Sequence, residues 1–368
     1  MPEDDEVSDA MYLGRDLGVE MTGKKINTCV LGASGYTGSD FIRLAARHPH
    51  INITALTAHS HAGKDMAEVF PHLAMLDLPK LTTVDEVDFS EIDAVVCGLP
   101  HGTTQKIIAG LPDAVKIIDM SADFRLRDAQ VYKQTYGKPH QAIELQKSAV
   151  YGLTELNRPD ITNTRLVACP GCYPTAVLLA LSPLLGDNVI LADDIIIDAK
   201  SGITGAGRGL KQNTLFCEAG EGLSAYGVGV HRHSPEIDQE LTKAGGHEVV
   251  VNFTPHLVPM SRGELVSCHV KLAHGISADD LRLTFATHYK DEPFMHILPP
   301  NTYPATQHVR GSNQCRIGVF ADRIPGRAIV IAVIDNLVKG SAGQAMQNFN
   351  VMFGIEETTG LEQLPMFP

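Results

Sequence analysis

The chain has 368 residues, of which 44% are hydrophobic and 20% are charged, the proportions of a globular protein with room for two domains. Its formal net charge of −13 argues against a general affinity for nucleic acid or an anionic membrane, while leaving room for a local cationic pocket. Seven cysteines without the spacing of a small disulfide scaffold indicate a reducing compartment, and no membrane span or signal peptide is visible, so we expect a cytoplasmic protein.

The first recognisable element is a strand followed by a glycine-rich loop. Residues 1–23 are acidic and lack periodicity, and we interpret them as a disordered or appended leader. Ile26–Leu31 is an apolar run typical of a buried strand, and residues 32–38 follow it with the spacing G-x-x-G-x-x-G before an apolar helical face. Such glycines allow a tight turn and let a pyrophosphate approach the helix N-terminus. A turn without a ligand is the alternative, but the flanking strand and helix favour a dinucleotide.

The end of the second strand, Ile51–Thr57, indicates which nucleotide is bound. NAD-binding proteins usually carry an acidic residue about twenty positions past the glycines, where it binds the ribose 2′-hydroxyl. Here no acidic residue appears before Asp65, and the strand end offers hydroxyl and imidazole groups at Thr57, His59 and Ser60. These groups suit a 2′-phosphate, so we predict NADP as the cofactor.

Two further strands end in loops at the same predicted edge. Ala94–Cys97 is followed by Gly98 and Pro100, and residues 115–119 are followed by a loop that carries Arg125. Ligands of a doubly wound parallel sheet bind at the carboxyl ends of its strands. Arg125 is therefore a candidate anion contact, and a solvated surface charge is an equally open alternative.

A cysteine motif closes this half of the chain. The sequence C-P-G-C-Y-P-T at residues 169–175 follows an apolar strand end and precedes an apolar segment of helical length, so Cys172 falls at a helix N-terminus. Free N–H groups and the helix dipole favour a thiolate there, which makes Cys172 a candidate nucleophile. A redox pair or half of a metal site is the alternative, but no second C-x-x-C exists and we predict no metal. The remaining cysteines are expected to be small buried side chains: Cys29, Cys97, Cys217, Cys268 and Cys315.

The second half of the chain is richer in strands than in helices. We therefore predict an α/β Rossmann domain, residues 24–170 with the C-terminal helix 341–355, and an α+β catalytic and oligomerisation domain, residues 171–340, with a mostly antiparallel sheet. Residues 253–264, which contain prolines, are interpreted as a shaped loop rather than a strand. The strand patterns lie at 195–200, 249–253, 265–270, 315–320 and 328–334, and the helical patterns at 278–289 and 341–353.

A histidine pair in the second half supplies candidate acid–base chemistry. His231 and His233 lie two positions apart and precede Glu236 at a predicted helix start. Imidazole is the usual general acid or base near neutral pH, and a thiolate nucleophile commonly has such a partner. A surface pair and an H-x-H metal site remain open as alternatives from the residues alone.

Six motifs in order, at residues 32–38, 121–125, 170–175, 201–208, 231–236 and 253–257, resemble those of the N-acetyl-gamma-glutamyl-phosphate reductase family of arginine biosynthesis. The resemblance extends over about residues 26–355. The pair P-G-C-Y-P-T and H-R-H-x-P-E is specific, whereas the glycine loop alone is weak. Cys169 departs from the family pattern, so a regulatory Cys169–Cys172 disulfide stays a minor alternative.

The resemblance implies an aspartate-semialdehyde-dehydrogenase-like fold whose final helix packs on the first domain, and a homodimer or homotetramer. It also implies NADPH-dependent reduction of N-acetyl-gamma-glutamyl phosphate to the semialdehyde and phosphate through a thioester on Cys172. His233 is the preferred proton donor and His231 a substrate contact, although both match the family equally. The implied cofactor-binding residues are Gly32, Ser34, Gly35, Tyr36, Thr37, Gly38, Thr57, His59, Ser60, Gly98, Pro100, Ser201, Gly202 and Asn313, and the implied substrate-binding residues are Arg125, Arg208, Glu236 and Arg262.

Three alternative functions follow from the same residues. A related acyl-phosphate reductase, acting on an aspartyl or amino-adipyl substrate, shares the chemistry and differs only in the acid it accepts. A nucleotide-sensing Rossmann regulator without catalysis would need no reactive cysteine. A zinc protein would use the C-x-x-C and H-x-H segments as ligands.

Overall fold

The computed structural model describes residues 25–368 as two sheets with helices packed against them. The predicted leader, residues 1–23, lies outside the described residues. The strands of the first sheet are β1 (Ile26–Leu31), β2 (Ile51–Thr57), β3 (Leu81–Thr82), β4 (Ala94–Cys97), β5 (Lys116–Asp119), β6 (Val150–Tyr151) and β7 (Leu166–Ala168). Those of the second sheet are β8 (Ile196–Gly202), β9 (Ser224–Ala225), β10 (Asn252–Val258), β11 (Glu264–Lys271), β12 (Met295–Ile297), β13 (Cys315–Ala321) and β14 (Arg327–Ile334).

The first sheet is parallel, with the strand order β3-β2-β1-β4-β5-β7-β6. The order reverses between β1 and β4, so the loops that leave these two strands flank the crevice where doubly wound sheets bind ligands. The second sheet has the order β12-β13-β14-β11-β8-β10-β9, and its pairings are antiparallel except for β12 with β13 and β8 with β10. Both sheets agree with the predicted fold class.

The helices cover the faces of the two sheets and connect them. The cysteine motif starts a helix that is apolar around its whole circumference, because it is enclosed by the second sheet and its neighbouring helices. The helices are α1 (Tyr36–Ala45), α2 (Met66–Val69), α3 (Thr104–Ala109), α4 (Ala129–Tyr136), α5 (Ile143–Ser148), α6 (Thr154–Thr162), α7 (Cys172–Gly186), α8 (Phe216–Ala219), α9 (Ser234–Gly245), α10 (Ala278–His288) and α11 (Gly343–Met352).

The last helix of the chain returns to the first sheet. A π-helical turn, Val338–Ala342, leads from the second sheet into α11. Met346 and Phe349 of α11 share a buried apolar cluster with Val30 of β1 and Phe41 of α1. The chain therefore crosses between the two sheets twice, once at the start of α7 and once at this π turn. The predicted domain boundaries near residues 170 and 340 stay a prediction.

The segment interpreted as a loop after residue 253 is instead mostly a strand. β10 runs through Pro255, in parallel with β8. A proline is tolerated there because its carbonyl accepts from Tyr226 N–H at 3.1 Å on the β9 side, so the missing N–H also faces that side and removes no bond to β8. The sequence prediction was wrong because it took prolines as breakers of any strand.

Candidate active site

The candidate nucleophile stands where the two sheets meet. Gly171 is the N-cap of α7 and no side chain caps the helix, so Cys172 is the first helical residue, as predicted. Pro174 falls in the first turn, where its missing N–H has no partner to lose. Cys169, by contrast, is 1% exposed and accepts a hydrogen bond from Asn348 Nδ2 at 3.5 Å. The two cysteines of the motif therefore occupy different surroundings, and both are free thiols.

The thiol of Cys172 does not have the lowered pKa expected from the helix start. Burial raises its pKa well above the ordinary value, and the nearby Glu264 carboxyl raises it further. The backbone N–H of Tyr173 and the charge of Arg125 act in the opposite direction but are weaker. The expectation of a helix-stabilised thiolate was wrong because burial disfavours the charged sulfur, and the Glu264 carboxyl adds to that effect.

A buried carboxylate holds the turn before Cys172. Glu236 Oε1 accepts from the Gly171 N–H and from Tyr151 Oη, both at 2.8 Å, and Oε2 accepts from Arg125 Nη1 at 3.4 Å. Glu236 is 1% exposed. Both oxygens thus have partners inside the protein, which favours a positioning role for Glu236, and the substrate contact that the resemblance implies stays a prediction.

Arg125 lies beneath the same turn with part of its guanidinium unused. Nε donates to Cys169 O at 2.8 Å, Nη2 donates to Met120 O at 3.0 Å, and Nη1 reaches Glu236. Since a guanidinium carries about five N–H donors, about two remain for an anion beside Cys172. Only 9% of the residue is exposed, which gives any such contact a water-poor environment.

The histidine pair packs against the same turn. A Cβ built on Gly171 would lie 2.5 Å from His233 Nε2 and 3.0 Å from Arg125 Nη1, so only glycine fits between them. The rings of His231 and His233 are 4.8 Å apart, and His231 Nδ1 accepts from the His233 backbone N–H at 3.2 Å. Burial and neighbouring cationic groups hold the pKa of His233 well below its usual value, and lower that of His231 to about 4, so both rings are neutral at neutral pH.

The glycine loop has the geometry of a phosphate cradle. Gly32 has φ +76°, and a Cβ there would lie 2.8 Å from Gly98 O, so the loops after β1 and β4 touch. A Cβ on Gly38 would lie 2.7 Å from Gly32 O. Helix α1 starts at Tyr36 without a side-chain cap, and its first N–H groups suit a phosphate. The residues present therefore fit a dinucleotide.

The polar groups at the end of β2 divide into two sets. Thr57 is 1% exposed, and its Oγ1 accepts from the Gly32 N–H at 3.3 Å, so this hydroxyl serves the loop itself. His59 and Ser60 are exposed, and Ser60 Oγ lies 3.2 Å from His61 Nδ1. The second set is the one available to a 2′-phosphate.

Both halves of the chain match family models for semialdehyde dehydrogenases. The NAD binding domain model covers residues 27–164, and the dimerisation domain model covers residues 172–336. A probable chloroplastic N-acetyl-gamma-glutamyl-phosphate reductase of Arabidopsis thaliana is 55% identical over 345 residues, which are 94% of this chain and 86% of the relative. N-acetyl-gamma-glutamyl-phosphate reductase of Rhodospirillum rubrum is 55% identical over 350 residues, which are 94% of this chain and 99% of the relative. This chain belongs to the N-acetyl-gamma-glutamyl-phosphate reductase family. The resemblance inferred from the motifs is confirmed.

Solved structures with the same fold are aspartate semialdehyde dehydrogenases. The enzyme II of Vibrio cholerae in complex with ASA has a TM-score of 0.67 at 17% identity, over 90% of this chain and 99% of that one. The Candida albicans enzyme with NADP has a TM-score of 0.65 at 17% identity, over 90% and 99%. At this identity the likeness shows the fold alone, and it confirms the predicted fold class for this member of the reductase family.

Other residues predicted from the reductase resemblance lie at contacts between the two sheets. Arg262 forms a bidentate pair with Asp40 of α1, at 2.8 and 3.0 Å. Arg208 lies over the Phe70 ring at 4.4 Å and donates to Ser34 O at 3.3 Å, next to the glycine loop. Each of these arginines thus joins the second half of the chain to the first.

The remaining predicted cofactor residues differ in accessibility. Asn313 is fully buried and donates to Gln347 Oε1 of α11 at 3.0 Å, away from solvent. Ser201 is 1% exposed at the end of β8, and a Cβ on Gly202 would lie 2.8 Å from Ser261 O. Pro100 is exposed in the loop after β4, within reach of a ligand at the switch point.

Sequence reasoning missed two residues that touch the nucleophile. A Cβ on Gly340, in the π turn, would lie 2.8 Å from Cys172 Cβ, so the turn packs directly on the cysteine. Glu264 is fully buried beside the thiol. The available signal was a carboxyl at the first position of a strand, on the face whose other members are apolar.

Two further findings bear on the predicted absences. Among residues 25–368, no group of three or more His, Cys, Asp and Glu side chains is arranged to hold a metal ion. Across the same residues, every helix falls short of the length and apolar character that a bilayer crossing requires.

Cys217, expected to be buried, is instead exposed on α8.

Proposed function

We propose that this protein reduces N-acetyl-gamma-glutamyl phosphate to N-acetylglutamate 5-semialdehyde and phosphate, with NADP(H) as its cofactor. The observation that carries the proposal is the convergence of His233 and Arg125 on Gly171, the residue before Cys172. A nucleophile, an anion contact and an imidazole thereby share one small site. The names of relatives at 55% identity supply the substrate.

In the proposed reaction the Cys172 thiolate attacks the carbonyl carbon of the acyl phosphate. A C–S bond forms, and phosphate leaves with the electrons of the C–O bond. The two unused N–H groups of Arg125 bind the phosphate oxygens as charge builds on them. N–H groups at the uncapped start of α7 stabilise the tetrahedral oxyanion.

The second half of the reaction releases the aldehyde from the thioester. A bound nicotinamide cofactor supplies the hydride that reduces the thioester carbon. The neutral His233 ring donates its N–H proton to the developing alkoxide and takes it back as the C–S bond breaks, which gives the semialdehyde and the Cys172 thiolate. His231, whose Nδ1 is engaged by the His233 backbone, contacts the substrate through its other nitrogen.

NADP is the proposed cofactor because His59 and Ser60 are exposed at the end of β2, where NAD-binding proteins carry an acid. The measurement is kcat/KM with NADPH and with NADH under the same conditions. NADPH should be strongly preferred. Equal values for the two cofactors would refute this part of the proposal.

We also propose that the protein is a cytoplasmic homodimer or homotetramer. The free cysteines suit a reducing compartment. The second sheet has one face against α7, while alternate residues such as Leu265, Ile329 and Ile331 lie half-buried on its other face. A second copy covering that face would bury these side chains. Light scattering at several concentrations distinguishes a monomer from either assembly.

The substrate assay runs in the oxidative direction, as phosphate-dependent NADP reduction. N-acetylglutamate 5-semialdehyde should be a much better substrate than aspartate semialdehyde at equal concentration. A preference for aspartate semialdehyde would assign the protein to the related reductases. Cys172→Ser should nearly abolish turnover and leave NADPH binding intact, because only the thiolate carries the acyl group; turnover near the wild-type level would refute the thioester route.

A further inference from the structure

Glu264 is a carboxyl held rigidly at the start of β11. Its neighbour Gly263 has φ +115°, a conformation open to glycine, and donates its N–H to Asn336 Oδ1 at 2.8 Å. The strand register places Glu264 opposite Ser201 of β8 and opposite Ile334 of β14. The backbone at Glu264 is therefore held by the Asn336 hydrogen bond and by pairing with β8 and β14, independently of its side chain.

The side chain of Glu264 projects into the protein beside the nucleophile. The residue is fully buried, and its carboxyl lies near the Cys172 thiol and the Ser201 hydroxyl. Among the described residues, neither carboxyl oxygen has a hydrogen-bond partner. A buried carboxyl without such bonds costs free energy. A purely structural role therefore does not explain why a carboxyl is buried here, near the Cys172 thiol.

Burial raises the pKa of both members of the pair, the Cys172 thiol and the Glu264 carboxyl. Burial raises the pKa of Glu264 to about 8, a net value in which the Cys172 thiol and the Ser201 hydroxyl act to lower the pKa and Asp335, after β14, acts to raise it. Burial and Glu264 raise the pKa of the Cys172 thiol. Tyr173 of α7 and Tyr226 after β9 also face Glu264, and both stay protonated because burial and this carboxyl raise their pKa values. The thiol and the carboxyl are therefore two weak acids that titrate as a coupled pair.

The histidine pair is poorly suited to take the thiol proton. Burial and nearby cationic groups lower the pKa of His233, so its ring holds a proton weakly. Its Nε2 lies against Gly171, on the side of the turn that Arg125 also approaches. Glu264 reaches the sulfur from β11, in the second sheet. The two acid–base groups thus have different targets: the His233 imidazole serves the substrate oxygen, and the Glu264 carboxyl serves the sulfur.

We propose that the Glu264 carboxylate accepts the proton of the Cys172 thiol and so generates the nucleophile, a further catalytic role that rests on the proposed function. The S–H bond breaks, an O–H bond forms on Glu264, and the negative charge passes from oxygen to sulfur. When the C–S bond breaks at the end of turnover, sulfur leaves as a thiolate and recovers the proton from Glu264. The protein returns to its starting state without a further reactant.

The test is the pH dependence of Cys172 alkylation by iodoacetamide in the full chain, without substrate, for wild type and Glu264→Gln. In wild type the rate constant should rise to about pH 8, near the Glu264 pKa, and then level, because one proton is divided between two groups. In Glu264→Gln it should keep rising about tenfold per pH unit until the thiol itself ionises. Below about pH 8, Cys172 of wild type should react roughly tenfold to a hundredfold faster than Cys172 of Glu264→Gln, because the protonated carboxyl donates a hydrogen bond to the thiolate.

The chain contains its own control for this measurement. Cys217 is exposed on α8, and its alkylation, quantified on its own peptide, should follow the same profile in both proteins. Glu264→Asp keeps a carboxylate and should keep the levelling at a lower rate. Superimposable Cys172 profiles for wild type and Glu264→Gln would overturn the proposal. If Glu264→Gln does not fold, a Glu264→Asp profile that fails to level would overturn it instead.

The result can be separated from the substrate assignment, because alkylation requires no substrate. A levelling profile in a protein that ignores N-acetylglutamate 5-semialdehyde would reject the proposed function and keep the thiol–carboxyl pair. An active reductase whose two alkylation profiles coincide would keep the function and reject the role of Glu264.

Discussion

The tight packing at Gly171 leads to a sharp prediction about the position of His233. An added methyl group in Gly171→Ala would lie 2.5 Å from His233 Nε2 and 2.8 Å from Cε1. Ordinary contacts between such atoms begin at about 3.5 Å, so the His233 ring must move away by about 1 Å. His233 is 8% exposed and its ring packs against those of Tyr173 and His231, so it has little room to move.

Two effects of different size should follow in Gly171→Ala. Overpacking should lower the free energy of unfolding by about 1–3 kcal/mol. A catalytic group displaced by about 1 Å should slow turnover by roughly a hundredfold. NADPH binding should be unchanged, because the glycine loop that would hold its phosphates is a different segment, residues 32–38. The measurements are urea unfolding, kcat with saturating substrates, and cofactor fluorescence.

A matched control exists at the other end of the same helix. Gly186 also belongs to α7, and a methyl group there would meet nothing closer than Ala244 O at 3.7 Å. Gly186→Ala should therefore keep full activity and stability. If Gly171→Ala kept kcat within twofold and its stability matched the control, the ring of His233 would not lie where the geometry puts it, and its proposed role would fall.

Three further predictions concern two arginines and the histidine pair. Arg125→Lys keeps the charge but loses the fork, so the KM for phosphate should rise while the KM for NADP stays constant; an unchanged phosphate KM would place the anion elsewhere. Arg262→Gln should lower the free energy of unfolding by about 3 kcal/mol at neutral pH, because Asp40 stays buried without this partner. Burial alone would raise the pKa of Asp40, but the hydrogen-bonded arginines outweigh burial and lower that pKa. The stability that this pairing contributes is therefore present above the unfolded pKa of 3.8 and is lost as the pH falls through the folded pKa. Urea titrations of wild type and Arg262→Gln should converge in acid, and a constant difference would contradict the pairing. His233→Asn should slow single-turnover hydride transfer by roughly a hundredfold to ten-thousandfold, whereas His231→Asn should mainly raise the substrate KM; a larger rate loss at position 231 would reverse the two roles.

Features that depend on a few neighbouring residues can be predicted from the sequence alone. The strand Ile26–Leu31 and the glycine spacing after it define a phosphate loop, because the turn and the helix start are local backbone requirements. The cysteine motif likewise encodes its own helix start through Pro174 and the apolar run beyond it. The H-R-H-S-P-E segment begins α9 for the same reason, with Pro235 in the first turn.

The errors occurred where distant segments decide the outcome. The pKa of Cys172 depends first on burial and then on Glu264, which the register of β11 against β8 places near the sulfur. The residue type of Thr57 suits a ligand contact, but its hydroxyl serves Gly32 across the parallel pair of β2 with β1. A sequence pattern gives the type of each side chain, but it does not show which partner will form hydrogen bonds with that side chain.

By itself, the sequence of this protein determined the fold class, the family and the place of Cys172 at a helix start, because each is encoded in short-range patterns of glycine, proline and apolar residues. Only the tertiary structure decided which groups surround the sulfur. Glu264 and Gly340 approach Cys172 through strand register and a π turn, and both are set by packing between the two sheets. Electrostatic effects at a buried site depend on such distances and on the exclusion of water, which only the folded chain defines.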